Sequence, residues 1–257
     1  PIPPAPLPAR AAGSRPRPTA RSSSSAAPSR GRGRWMRRLF PTLYDLVMAP
    51  AERGRLRRWR HSLVRPAHGR VLEVGAGTGL DFAHYGAEAW VIATDPELAM
   101  LARAKARLAD SPACILLVAA DAQELPFRDD AFDEGVVGLA MCTIPAPERA
   151  LKELRRTLRP GGTLRLLEHV RMPNPVVARL QDWLTPLWRR VAAGCHLNRR
   201  TADVVTRSGF ELMSIESHLA GYVQAIVARA PGVSPGAGTT SADGTSADGT
   251  SATALRS

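Results

Sequence analysis

The chain is short of cysteine, lacks long apolar runs, and has no acidic residue in its first forty positions; each absence excludes something. Three cysteines in 257 residues, Cys114, Cys142 and Cys195, are odd in number and widely spaced. They give no disulfide framework and no Cys-x-x-Cys pair, so a reducing compartment is expected. Cys114 falls in an apolar strand candidate and reads as a small core residue. The six histidines form no compact ligand motif, and no metal is expected. No apolar stretch reaches the roughly 18–20 residues that cross a bilayer, and residues 1–34 hold no continuous apolar segment of the secretory type. A cytoplasmic protein is expected, with peripheral membrane association allowed.

The missing acids locate the charge. Residues 1–40 carry nine arginines and no carboxylate, which leaves +3 of the +12 net charge for everything else. The compact part is therefore only mildly basic, and no dedicated nucleic-acid partner is expected. A basic tail can still touch RNA or an anionic membrane. A non-enzymatic scaffold binding one of these is the rival to an enzyme.

Three regions follow. Residues 1–34 read as a disordered Arg/Ser/Pro-rich tail, 35–230 as one domain, and 231–257 as a second disordered tail rich in Ser, Ala, Gly and Thr. Within the domain, apolar runs alternate with segments of helical period. Strands are expected at 71–74, 90–94, 114–119, 132–137, 163–170, 211–217 and 222–228. A helix is expected to start over 80–85, another to carry Met100, Leu101, Ala104 and Leu108 on one face, a third to span 149–158, and a last one 201–207. Pro160-Gly-Gly162 stops the third. The order implies an α/β fold, a Rossmann-like seven-stranded, mostly parallel sheet with helices on both faces and an antiparallel last strand.

Chemistry concentrates at strand ends. Val71-Leu-Glu-Val74 runs into Gly75-Ala-Gly77-Thr-Gly79, a turn that lets a ligand approach the backbone. A dinucleotide fingerprint, Gly-x-Gly-x-x-Gly, would need its third glycine at Leu80, so that reading weakens. Asp95 and Asp121 close the next two strands. With Glu73 they place three carboxylates along one crevice, where open α/β sheets bind ligands. An adenine amino group could donate to Asp121 and a ring nitrogen accept from the Ala122 N–H.

Glu73-Val-Gly75-Ala-Gly77-Thr-Gly79, Asp95, Asp121-Ala-Gln-Glu-Leu-Pro-Phe127 and Leu158-Arg-Pro-Gly-Gly162 together resemble the class I S-adenosylmethionine-dependent methyltransferases. The resemblance implies that cofactor, with Glu73 and the glycine turn on its methionine part, Asp95 on the ribose, and Asp121 with Ala122 on the adenine. Ala76, Pro96, Met100 and Leu139 complete the expected cofactor-binding set. The segments opening at Tyr44-Asp-Leu-Val-Met and Trp188-Arg-Arg-Val resemble a branch containing phospholipid N-methyltransferases and thiol methyltransferases. Quinone-pathway C-methyltransferases share much of the core.

The acceptor implied is a hydrophobic small molecule or lipid, a phospholipid amine or thiol first and a quinone precursor as the alternative. His169 and His196 are the candidates for proton transfer. Trp183 and Trp188 are expected to line an apolar acceptor pocket. Trp35-Met-Arg-Arg-Leu-Phe40 allows peripheral contact with an anionic membrane.

Overall fold

The computed structural model describes residues 45–46, 54–191 and 194–232. The expected tails lie almost wholly outside these residues, as does the segment Trp35–Phe40. Seven strands form one sheet in the order β3-β2-β1-β4-β5-β7-β6. They are β1 (Gly69–Val74), β2 (Ala89–Asp95), β3 (Cys114–Ala119), β4 (Phe132–Gly138), β5 (Leu158–His169), β6 (Glu211–His218) and β7 (Val223–Arg229). β1 to β5 run parallel, and β7 is antiparallel to both β5 and β6. The sheet is the seven-stranded, mostly parallel one the sequence pattern called for. Its helices are α1 (Arg55–Val64), α2 (Leu98–Ala104), α3 (Pro147–Thr157), α4 (Pro175–Val191) and α5 (Thr201–Arg207).

The central strands are apolar on both sides because helices cover both sheet faces. Leu72, Val137, Leu164, Leu166 and Ile226 pack with Leu151 and Leu154 of α3 in one cluster. Val71, Val91, Val136 and Leu167 pack with Leu56, Leu63 and Val64 of α1 in another. Burying each such side chain contributes about 1.5–3 kcal/mol before chain entropy is counted. α3 begins on Pro147, which needs no helical N–H there, and presents Ala150, Leu151 and Leu154 inward at a period of three to four.

Four expectations change. No α-helix follows the glycine turn; a single 3₁₀ turn, Phe82–His84, takes its place. Only nine residues separate Gly79 from β2, too few for a helix and its return. Four of them are already committed to burial, namely Leu80 in part and Asp81, Phe82 and Tyr85 fully. β5 begins at Leu158 rather than at Thr163, because Gly161 and Gly162 pair their backbones with Ala230 beyond β7. Cys114 is exposed, since β3 is an edge strand. Trp183 faces outward, as described below.

The strand order reverses between β1 and β4. Loops that leave the carboxyl ends of these neighbours diverge to opposite sides and open a crevice between them. Except for Met100 in α2, every candidate site residue sits at the carboxyl edge of the sheet or in a loop beyond it.

Candidate active site

The turn after β1 is folded around the end of β2. Gly75 N and Ala76 N both donate to Thr94 O, at 2.8 and 2.9 Å. Gly77 N donates to Asp95 Oδ2 at 3.0 Å, and Glu97 N to Asp95 Oδ1 at 2.8 Å. All three glycines have positive φ, and two of them also leave no room for a Cβ. Gly75 has φ +74°, and a Cβ there would sit 2.2 Å from the Ala140 Cβ. Gly79 has φ +80°, and its Cβ would meet the Phe82 ring at 2.7 Å.

Asp95 is nearly buried, and burial raises its pKa although two backbone donors hold the anion. A carboxylate has about four acceptor sites. With two filled, Asp95 keeps capacity for two hydroxyl donors. Glu73 is fully buried and accepts from the Tyr85 hydroxyl at 2.9 Å. Burial, then the charge of Asp81, pushes its pKa up to about 8, against the Tyr85 hydrogen bond and Arg60. Asp81 itself is paired with Arg60 at 3.0 Å, both out of solvent. A cationic ligand group brought beside Glu73 would favour the ionised form.

Asp121 is exposed. Its carboxylate accepts from Gln123 N at 2.8 Å and from Gln123 Nε2 at 3.0 Å. Ala122 is buried in the core cluster. Leu139, the first residue after β4, has φ +56° and donates its N–H to Leu167 O. Pro96 is exposed and Met100 half-buried. The predicted residues thus lie at or just beyond the carboxyl ends of β1, β2, β3 and β4, with Met100 in the first turn of α2. Asp45 was not singled out from the sequence. It accepts from Thr78 Oγ1 at 2.6 Å, Arg103 Nε at 2.8 Å and Arg107 at 3.0 Å, bracing the glycine turn against α2. Its one signal is that it is the first acidic residue of the chain.

On the other side of the crevice, Glu168 organises the loop after β4. Its Oε1 accepts from Ala140 N at 3.0 Å and Met141 N at 2.8 Å, and burial pushes its pKa up to about 7. Arg199 donates to Met141 O and, at 2.7 Å, to Ile144 O. His196 N donates to Cys142 O at 2.9 Å. The loop before α5 is therefore bolted to the loop after β4.

The two candidate histidines differ. His169 ends β5 with Nε2 2.9 Å from Cys195 Sγ and its ring edge-on to Tyr222. Its Nδ1 is buried and makes no hydrogen bond among the described residues. Burial acts to lower its pKa, but the hydrogen bond and charge of Cys195 and the charge of Glu168 outweigh it, so the pKa rises. His196 lies with Nδ1 3.1 Å from Cys142 O and 3.2 Å from Arg199. Partial burial and the Arg199 charge lower its pKa. His196 is tied into the loop through Nδ1 and its backbone N–H, whereas His169 has its second ring nitrogen, Nδ1, buried without a hydrogen bond among the described residues.

α4 runs opposite to expectation. Its inner face is small or polar: Ala178, Gln181 and Thr185 are buried, with Gln181 bonded to Met172 N, Val170 O and Leu197 O. Val176, Leu180, Trp183 and Leu187 form an outward stripe, with Trp183 76% exposed and Trp188 44% exposed. Trp183 therefore lines no pocket. A cleft of about 250 Å³ lies beyond β5, lined by Val170, Arg171, Met172, Arg200, Asp203 and Gln224 among others. None of the glycines or carboxylates above lines it.

Residues 72–166 match the family model described as a methyltransferase domain. That segment starts within β1 and ends within β5, so it includes the glycine turn, Asp95 and Asp121 together. This segment carries a methyltransferase domain, and the chain is similar there to the S-adenosylmethionine-dependent methyltransferases. Among curated proteins it is similar to thiol S-methyltransferase TMT1B of Rattus norvegicus, 31% identical over 150 residues, 57% of this chain and 62% of that one. It is also similar to the demethylmenaquinone methyltransferase of Paenarthrobacter aurescens, 35% identical over 153 residues, 58% of this chain and 54% of that one. The chain thus spans somewhat more than half the length of these relatives.

Solved structures agree on the fold. A SAM-dependent methyltransferase from Aquifex aeolicus superposes with a TM-score of 0.55 at 14% identity, covering 74% of this chain and 98% of that one. The [4+2]-cyclase SpnF superposes with a TM-score of 0.59 at 19% identity, covering 78% and 95%. A cyclase on this fold means that the site, and not the sheet, has to carry the argument for a reaction.

The residues present fit the family's cofactor. Asp95 is buried, pre-oriented by two N–H donors and still able to accept, and the glycine turn admits no Cβ where it meets the loop after β4.

Proposed function

We propose that this protein transfers a methyl group from S-adenosylmethionine to a hydrophobic small molecule. The observation that carries the proposal is a carboxylate, Asp95, held under the glycine turn by two backbone N–H groups, with a half-buried histidine, His169, at the carboxyl end of β5 in the same sheet. When bound, the cofactor supplies an electrophilic methyl carbon on a sulfonium. Glu73 and the turn Gly75–Gly79, Ala76 included, would hold its methionine part, Asp95 its ribose hydroxyls, and Asp121 with Ala122 its adenine. Pro96, Met100 and Leu139 would line the nucleoside.

The rest of the work falls to residues that orient the acceptor and move its proton. Holding the reacting atoms in line accounts for much of such a barrier reduction. His169 is the group we assign to take the acceptor proton, and Glu168 and Arg199 hold the surrounding loop in shape. His196 is assigned to that loop rather than to chemistry.

The acceptor we favour is a ring carbon of a quinone precursor. It is supported by relatives named for quinone methylation at 34–36% identity in the best-matching examples. A thiol is the second reading, supported by the 31–33% identical thiol methyltransferases. Both acceptors carry a dissociable proton, a phenolic hydroxyl or a thiol, and His169 suits either. Methyl transfer from labelled S-adenosylmethionine to a panel of demethylated quinol, alkyl thiol, phosphatidylethanolamine and RNA decides among them. Turnover of the quinol alone is expected. RNA as the best substrate would overturn the small-molecule reading, and cofactor binding without any turnover would favour a scaffold.

An apolar acceptor dissolves in membranes, and we further propose peripheral contact through α4. Its exposed stripe of Val176, Leu180, Trp183 and Leu187 is accompanied by exposed Arg179, Arg189 and Arg190. The triple variant Leu180→Ser/Trp183→Ser/Leu187→Ser is expected to lose about tenfold in partitioning to anionic vesicles in a sedimentation assay. Unchanged partitioning would remove α4 from the contact.

A further inference from the structure

Cys142, His169 and Cys195 bring their ligand-capable atoms within 4.8 Å of one another, inside the wall between the loop after β4 and the loop before α5. Two uses of such a cluster are open, and spacing separates them. A zinc ion with Zn–N of about 2.0–2.1 Å and Zn–S of about 2.3 Å, at a tetrahedral angle, holds nitrogen and sulfur roughly 3.5 Å apart. The His169 Nε2 to Cys195 Sγ distance is 2.9 Å, a direct hydrogen bond. The cluster is built as a thiol hydrogen-bonded to an imidazole, with a second thiol within 4.8 Å.

We propose that Cys142 and Cys195 are a reversible redox pair that closes to a disulfide when a small peroxide reaches the site. Several features fit this. His196 N donates to Cys142 O at 2.9 Å, and Arg199 fastens the same two loops, so the two sulfurs are held within 4.8 Å of each other. Cys195 is 8% exposed and Cys142 3%, which admits a small oxidant but not a protein disulfide. The hydrogen bond from Cys142, followed by the bond and charge of His169, lowers the Cys195 pKa against its burial, while the Cys142 pKa is raised. The nucleophile and the resolving thiol are thereby distinguished.

The step balances with hydrogen peroxide as oxidant. The Cys195 thiolate attacks one peroxide oxygen, the O–O bond breaks, and hydroxide leaves and takes a proton to become water. Cys195 is now a sulfenic acid. The Cys142 sulfur attacks it, the S–S bond forms, the S–O bond breaks, and the second water leaves with the Cys142 proton. Two thiols and one peroxide yield one disulfide and two waters.

The test is to treat the purified full chain with hydrogen peroxide, block remaining thiols with N-ethylmaleimide, and map peptides by mass spectrometry. A Cys142–Cys195 linkage is expected to form about tenfold faster than any product at exposed Cys114 and to reverse with dithiothreitol. Cys142→Ser should instead trap a sulfenic acid at Cys195 that reacts with dimedone, and His169→Ala should slow oxidation about tenfold. Oxidation of Cys114 alone, equal rates at all three thiols, or a zinc ion in the native mass spectrum that shields the pair would each overturn it. The readout involves no methyl transfer, so it stands or falls separately from the proposed function.

Discussion

Asp95→Ala is expected to weaken S-adenosylmethionine binding by about 10²–10⁴-fold, read by isothermal titration calorimetry. The reasoning starts from two charge-assisted hydrogen bonds to the ribose, each worth about 1.5–3 kcal/mol when the donor would otherwise be left unpaired. The substitution also releases Gly77 N and Glu97 N, whose bonds to the carboxylate fix the turn. Asp95→Asn should fall between the two, because its amide keeps one acceptor but turns a donor toward hydroxyls and N–H groups. A thermal melt of each variant separates lost binding from lost folding. Binding within threefold of the parent by a folded Asp95→Ala protein would move the cofactor away from β2.

His169→Ala is expected to lower kcat by about 10²–10⁴-fold on the best substrate of the panel, with KM little changed, as for removal of a general base. The pH profile is the sharper readout. A base acts in its unprotonated form, and the His169 pKa lies above its ordinary value of 6.5. The parent rate should therefore climb with pH through a midpoint above 6.5, and that limb should vanish in His169→Ala. His196→Ala should keep the limb, since its ring is turned to Cys142 O and Arg199. If instead the limb survives in His169→Ala and disappears in His196→Ala, the roles are reversed.

The difference between the two histidines was not legible in the sequence. Each is followed by an aliphatic residue and has an arginine two or three positions on, and local pattern ranks them alike. What separates them is 26 residues away for His169, whose Nε2 meets Cys195, and 54 residues away for His196, which meets Cys142. The cysteines were equally mute. Cys114, in an apolar run, is exposed because β3 lies at the sheet edge, and Cys142 and Cys195 become a pair only when two loops are laid side by side. Trp183 misled for a related reason. Aromatics near a pocket loop suggested a lining, but α4 spends its inner face on Gln181, which satisfies three backbone groups, and turns its apolar side outward.

Strand spacing, the glycine turn and the acids at or near the carboxyl ends of β1, β2 and β3 needed no tertiary information. Apolar periodicity and φ-permissive residues act over a few positions, so the chain by itself determined the sheet and the glycine turn at the end of β1. The short 3₁₀ turn after Gly79, the bracing of that turn by Asp45, and the sulfur–imidazole cluster were decided by packing. Each depends on side chains separated by tens of residues meeting at distances that hydrogen bonding requires, and only the folded chain fixes such distances.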